Sequence, residues 1–95
     1  MMRELLNDTE KKLLEACGFD YYHEGKVAYR KVDESHFFTA VTWTPIGEDS
    51  VLWVRFNADA EDGLEETYAK SKSEIMTFIQ KCLDNEIESV VGENS

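Results

Sequence analysis

The sequence predicts a two-layer α+β domain, in which an antiparallel β-meander of about four strands is flanked by an N-terminal and a C-terminal helix. Three observations predict this class. Apolar residues recur every three to four positions near both ends of the chain, they alternate with a period of two in the middle, and short turn-forming segments separate the middle runs. The 95 residues fit one small acidic domain, 1–95, with a frayed tail expected over 92–95.

The first helix is predicted over about residues 2–17. Its apolar stripe comprises Met2, Leu5, Leu6, Thr9, Leu13, Ala16 and Cys17. Gly18 is expected to end the helix, because glycine adopts the left-handed conformation at low cost. Phe19 can then fold back onto Leu14, which is the hydrophobic contact of a Schellman ending.

Four strands are predicted in the middle of the chain, at Tyr21-Tyr22, Lys26–Val32, His36–Thr44 and Ser50–Asn57. Each connection is short and contains turn formers, so consecutive strands should be antiparallel neighbours. Pro45 cannot donate a hydrogen bond to a neighbouring strand and therefore closes the third strand.

Alternation assigns the residues of the third and fourth strands to two faces. The predicted core rows are Phe37, Thr39, Val41 and Trp43 on the third strand and Leu52, Val54 and Phe56 on the fourth. The opposite rows are Phe38, Ala40, Thr42 and Thr44 together with Val51, Trp53 and Arg55. These opposite rows are less polar than a solvated sheet face usually is, so we expect either a chain segment or a partner to cover them.

The acidic segment after Asn57 is predicted to be a connector that forms a helical turn near Leu64 and Tyr68. A second helix should begin after it, because Ser71 and Glu74 have the spacing of a capping box. Its apolar stripe comprises Ile75, Phe78, Ile79, Cys82, Leu83 and Ile87.

The charge excludes some classes of partner. With 20 acidic and 10 basic side chains the net charge is −10, and such a surface repels the phosphates of nucleic acid, so direct nucleic-acid binding is not expected. No apolar run has the length of a signal peptide or a membrane helix, so we expect no membrane association and a cytoplasmic location. Cys17 and Cys82 are interpreted as small buried hydrophobes in a reducing compartment.

The sequence predicts no catalytic residue, no metal site and no cofactor. Cys17, His23 and His36 fall in a helix end and two turns, without the close spacing of zinc ligands. A calcium loop starting at Asp59 would need glycine at its sixth position and glutamate at its twelfth, where Leu64 and Lys70 stand. The five glycines form no phosphate-binding loop, so an enzyme of a common class is disfavoured.

Negative charge is concentrated late in the chain, because residues 59–95 carry a balance of −7 and residues 1–58 a balance of −3. If Asp62, Glu65 and Glu66 occupied a helical turn, neighbouring carboxylates would be ~5–6 Å apart. That separation is near the one between successive phosphates of a nucleic-acid strand. The alternative is an acidic surface that serves only solubility.

Our leading hypothesis is a non-catalytic binding protein that docks on a basic surface of a protein partner, with nucleic-acid-binding enzymes as candidates. The partner-binding residues predicted from charge are Asp59, Glu61, Asp62, Glu65 and Glu66. In size, acidity and lack of catalytic motifs the chain resembles the small inhibitors that phages use against host restriction and CRISPR nucleases. This resemblance implies a nucleic-acid mimic and carries over no residue.

The alternative hypothesis is a structural or assembly module that forms a homodimer through an apolar sheet face. Trp53 and Phe38, with Val51, are the residues predicted to form that contact, because aromatic side chains are favoured at the centres of protein interfaces.

Overall fold

The computed structural model describes residues 4–59 and 61–93, without the side chains of residues 61, 62 and 86–93. The elements in chain order are α1 (Asp8–Ala16), β1 (Tyr21–His23), β2 (Val27–Lys31), β3 (His36–Trp43), β4 (Val51–Ala58), β5 (Glu61–Ala69) and α2 (Lys72–Glu93). Over the described residues the strands form one antiparallel sheet in the order β1-β2-β3-β4-β5. The predicted two-layer α+β class is confirmed, with a fifth strand that the sequence analysis did not predict.

Helix α1 begins six residues later than predicted, and a polar cap explains why. The side-chain Oδ1 of Asn7 accepts a hydrogen bond from the backbone N–H of Glu10 (2.8 Å), and Glu10 Oε1 accepts one from the N–H of Asn7 (3.0 Å). This reciprocal capping box fixes the first turn at Asp8. The predicted end is confirmed, because Gly18 has φ +90° and the N–H of Phe19 donates to the carbonyl of Leu14.

The core lies on the sheet face that carries the even-numbered residues of β3, which corrects the predicted face of that strand. In the register of β3 and β4, Phe38 is opposite Phe56 and Ala40 is opposite Val54. Directly opposite residues of an antiparallel pair lie on the same face of the sheet. The row of Leu52, Val54 and Phe56 was therefore predicted correctly, whereas Phe37, Thr39, Val41 and Trp43 lie on the opposite face.

Both helices pack on this core face. The core contains Leu14 and Cys17 near the end of α1, and Ile75, Phe78, Ile79 and Cys82 from α2. Helix α2 packs mainly against β5 and β4. On β3 the hydroxyl of Thr42 is buried and donates to Glu10 Oε2 (2.8 Å), so the α1 cap is also bonded to the sheet.

The predicted acidic connector with a helical turn is instead strand β5, the edge strand beside β4. A local irregularity in the pairing of β4 and β5 lies between Phe56 and Ala58. There the buried Asn57 accepts a hydrogen bond from the N–H of Gly63 (2.9 Å) and donates one to Thr39 Oγ1 (3.2 Å). The amide side chain replaces the backbone pairing that the irregularity removes.

Helix α2 begins at the predicted Ser71 cap, whose Oγ accepts from the N–H of Glu74 (3.3 Å) and donates to Glu74 Oε1 (3.0 Å). The helix continues through Gly92 and Glu93, while residues 94–95 and the side chain of Ile87 lie outside the described part of the chain. None of the described helices has the length and apolarity needed to cross a membrane.

Candidate functional site

The sheet face turned away from both helices, called the open face below, carries a set of aromatic side chains. The register assigns to it Tyr21 of β1, Val27 and Tyr29 of β2, the odd-numbered residues of β3 and β4, and Glu66 and Tyr68 of β5. No described helix packs on this face, because both helices contribute their apolar residues to the core on the other side. The open face therefore leaves exposed aromatic side chains available to a partner, among them Tyr21, Trp43 and Tyr68.

Three aromatic residues of β3, β4 and β5 form one group, called the tryptophan cluster: Trp43, Trp53 and Tyr68. The ring of Tyr68 lies 5.1 Å from that of Trp43 and 5.9 Å from that of Trp53, measured between centroids. Trp43 is 40% exposed and Tyr68 is 48% exposed. Large aromatic side chains with this much exposed area are typical anchors of protein interfaces.

A guanidinium and a carboxylate adjoin this cluster. The guanidinium carbon of Arg55 lies 5.2 Å from the ring centroid of Trp53, within the range of a cation–π interaction. Glu66 accepts a hydrogen bond from the indole N–H of Trp53 (3.2 Å), and its Oε2 lies 3.9 Å from Arg55 Nε. The guanidinium of Arg55 thus lies beside an aromatic ring and a carboxylate, at ion-pair distance from the carboxylate, while its buried Nε makes no hydrogen bond within the described residues.

A second aromatic row crosses β1, β2 and the start of β3. The ring centroids of Tyr21 and Tyr29 are 5.7 Å apart, and those of Tyr29 and Phe37 are 6.3 Å apart. Tyr21 is 59% exposed. We call these three residues the tyrosine row.

The acidic residues predicted as a binding surface do not form a helical row. Glu65 and Glu66 are neighbours in a strand and lie on opposite faces, because side chains alternate along a strand. Glu65 lies on the helix side, 3.9 Å from Lys81 Nζ. Asp59 follows β4 in an exposed turn, and the side chains of Glu61 and Asp62 are outside the described set.

The two aromatic residues predicted to contact a partner, Trp53 and Phe38, lie on opposite faces of the sheet. Trp53 lies on the open face, as does Val51. Phe38 has 0% of its surface exposed and packs in the core against Phe56 and Phe78, so it offers no surface to a partner. This corrects the prediction of Phe38 as a contact residue.

Sequence reasoning missed Trp43, Tyr68 and the tyrosine row as surface residues. The two rows of β3 are similarly apolar, so alternation alone could not decide which one faces the helices. No local signal separates the two rows, because Thr39 and Val41 in one row are close in size and polarity to Ala40 and Thr42 in the other.

The cysteine and histidines considered for catalysis lie on different elements: Cys17 is buried at the end of α1, His23 ends β1 and His36 begins β3. Burial raises the pKa of the Cys17 thiol, which makes it a poor nucleophile. His36 Nδ1 lies 2.9 Å from Asp33 Oδ1, and its ring stacks on Phe56 at 5.7 Å between centroids. Within the described residues no three side chains of His, Cys, Asp or Glu are arranged to hold a metal ion.

Comparisons of this chain with protein-family models, with curated proteins and with solved structures find no match.

Proposed function

We propose that this chain is a non-catalytic acidic binding protein that docks its open face on a basic surface of a protein partner. The observation that carries the proposal is the arrangement of Arg55, Trp53 and Glu66, in which an aromatic ring and a carboxylate hold a guanidinium. The adjoining rings of Trp43 and Tyr68 are exposed and offer the same chemistry to arginine side chains of a partner.

The net charge of −10 favours a basic partner over a neutral one. Complementary charge accelerates association and rejects acidic competitors, while buried aromatic anchors slow dissociation. The aromatic residues of the open face and the acidity of the whole chain thus act on different steps of the same binding event.

Enzymes that act on DNA or RNA are the partners to test first, beginning with restriction and CRISPR nucleases. Their nucleic-acid grooves are lined by lysine and arginine, which supply most of the affinity for phosphates. An acidic protein seated in such a groove would exclude the nucleic acid and inhibit the enzyme. This step rests on charge complementarity, because the carboxylate row predicted from helical spacing is replaced by strand β5.

Self-association through the open face is the second candidate, favoured by the position of Trp53 on the same face as Trp43 and Tyr68, whereas Val51 on that face is only 7% exposed. Two copies would each bring a charge of −10 to the contact, so their repulsion opposes a dimer at low salt. Salt separates the two candidates, because screening strengthens a contact between like charges and weakens one between opposite charges.

The test measures binding of the native chain to a panel of purified nucleases, together with inhibition of cleavage, over a series of salt concentrations. The matched variants are Tyr68→Ala on the open face and Met76→Ala on α2, because the two side chains are similarly exposed and lie on opposite sides of the molecule. We expect Tyr68→Ala to raise the Kd about tenfold, as for the loss of ~1.4 kcal/mol at an interface anchor. Met76→Ala should leave it within about twofold.

Three results would contradict the proposal. Equal effects of the two variants would show that the open face is not the contact surface. Binding that strengthens with salt would exclude a basic partner. A dimer whose dissociation constant depends on Tyr68, with no nuclease bound, would favour self-association, and sedimentation velocity at several salt concentrations measures it.

A further inference from the structure

A groove lies at the end of the open face away from the tryptophan cluster. It has a volume of about 340 Å³, and the tyrosine row forms one side of it. The rings are tilted against each other, with interplanar angles of 58° between Tyr21 and Tyr29 and 34° between Tyr29 and Phe37. Tyr21 is 59% exposed, and Tyr29 and Phe37 are partly exposed, so the row presents aromatic surface to the groove.

Carboxylates surround this aromatic side of the groove. Asp20, Asp33, Glu34 and Asp59 line it, together with a single lysine, Lys31, and His36. The lining thus contains four carboxylates and one lysine, and the ring of His36 lies against one of the carboxylates, Asp33, with 2.9 Å between Nδ1 and Oδ1. The groove therefore attracts cations and repels anions.

The carboxylate of Asp33 stays ionised down to low pH. Its pKa is lowered to about 2, first by the hydrogen bond from the backbone N–H of Ser35 and then by the bond from the His36 side chain. Because the four carboxylates are not gathered into a cluster that could hold a metal ion within the described chain, they form a diffuse negative rim. Such a rim suits an extended organic cation better than a compact metal ion.

The other end of the open face contains a guanidinium that lies beside both an aromatic ring and a carboxylate. There the guanidinium of Arg55 lies over Trp53 at 5.2 Å, with a carboxylate beside it. The groove offers aromatic rings and carboxylates in the same combination, on strands of the same face.

We propose that this groove binds one arginine side chain of the partner, with its guanidinium against the tyrosine row and its charge facing the carboxylate rim. Arginine fits better than lysine because a planar guanidinium stacks on aromatic faces and is less strongly hydrated than an ammonium. This inference rests on the proposed function, since it names the residue of the basic partner that the open face recognises.

The test is a titration of the isotope-labelled full chain, followed by NMR, with N-acetyl-arginine amide as the probe. N-acetyl-citrulline amide is the matched ligand control, because it has nearly the same shape without the charge. We expect saturable shifts centred on the amides of Tyr21, Tyr29 and Asp59. The apparent Kd should be about two- to fivefold higher for the citrulline amide than for the arginine amide, the range of a cation–π contact at an exposed site. The Kd of N-acetyl-lysine amide should lie between the two.

Two protein variants test the assignment to the groove. Tyr21→Leu keeps an apolar side chain at an exposed position and removes the π-face, so it should weaken arginine binding at least about threefold. Asp84→Asn on α2 removes one negative charge on the opposite side of the molecule and should have no measurable effect. The amide spectrum of each variant shows directly whether the fold is retained.

Equal binding of arginine and citrulline, or shifts confined to the tryptophan cluster, would overturn the inference. An unchanged Kd in Tyr21→Leu would also overturn it. The titration needs no partner protein, so its failure would leave docking through Tyr68 on a basic partner standing. Conversely, equal effects of Tyr68→Ala and Met76→Ala on nuclease binding, alongside a positive titration, would contradict the proposed function while the groove still binds arginine.

Discussion

Truncation of two neighbouring phenylalanines tests the assignment of the sheet faces. Phe38 is fully buried, with its ring centroid 4.8 Å from that of Phe56 and 6.1 Å from that of Phe78, whereas Phe37 lies on the open face beside Tyr29. Replacing a buried phenylalanine by alanine costs ~3–5 kcal/mol, from lost apolar burial and from the cavity that remains. For the half-buried Phe37 the expected loss is about 1 kcal/mol.

These losses are large compared with the stability of the whole domain. At ~0.05–0.15 kcal/mol per residue, a chain of this length has a free energy of unfolding of about 5–14 kcal/mol. With a urea m-value of ~1–1.5 kcal/mol/M, Phe38→Ala should lower the midpoint by about 2 M or more and Phe37→Ala by less than about 1 M. Urea unfolding followed by tryptophan fluorescence and circular dichroism measures both midpoints.

A second pair of substitutions, which removes fewer atoms, gives the same comparison if Phe38→Ala does not fold. Phe38→Leu should cost about 1–1.5 kcal/mol, and Phe37→Leu should be close to neutral. If substitution of Phe37 destabilised the chain as much as substitution of Phe38 in either pair, the described register of β3 and β4 would be wrong.

Three further predictions concern local structure. The low pKa of Asp33, about 2 against an ordinary 3.8, means that the stability it contributes is complete above pH 3.8 and is lost as the pH falls towards 2. Urea unfolding at a series of pH values should therefore show the native chain and Asp33→Asn converging at the acid end, and a constant difference would refute this. Gly63→Ala should destabilise more than Gly47→Ala in the same assay. Both have positive φ, at a cost of ~1–2 kcal/mol each. A Cβ at Gly63 would lie 2.5 Å from Arg55 Nη2 and would displace that guanidinium from its place over Trp53, whereas a Cβ at Gly47 would have no neighbour within 4 Å. Burial raises the pKa of Cys82 to about 11, so iodoacetamide at pH 8 should modify it only after unfolding, as read by mass spectrometry, and rapid labelling of the folded chain would contradict its position in the core.

The sequence was sufficient wherever a local signal decided the structure. Gly18 and Phe19 encode the end of α1 through backbone conformation and one hydrophobic contact, and Ser71 with Glu74 encodes the start of α2. The period of two, bounded by short turns, located strands β1 to β4 to within a residue or two at their ends.

Prediction failed where tertiary contacts decide between locally similar choices. The segment that forms β5 is acidic and has little strand propensity, and its strand conformation depends on pairing with β4 and on the bond from Gly63 to Asn57. The faces of β3 depend on its register with β4, which the seven-residue loop from Thr44 to Ser50 does not reveal in the sequence. Since Phe37 and Phe38 are adjacent and identical, only the register could show which one is available to a partner.

The central claim, that the open face docks on a basic partner, is tested most directly by reversing one charge on each side of the molecule. Glu66→Lys on β5 and Asp84→Lys on α2 change the net charge equally, and both side chains are exposed. Binding to a nuclease from the panel, measured at one moderate salt concentration, should weaken at least about tenfold for Glu66→Lys and less than about threefold for Asp84→Lys, because long-range attraction is screened beyond ~8–10 Å. Equal weakening by the two variants would mean that overall acidity, and not the open face, determines binding.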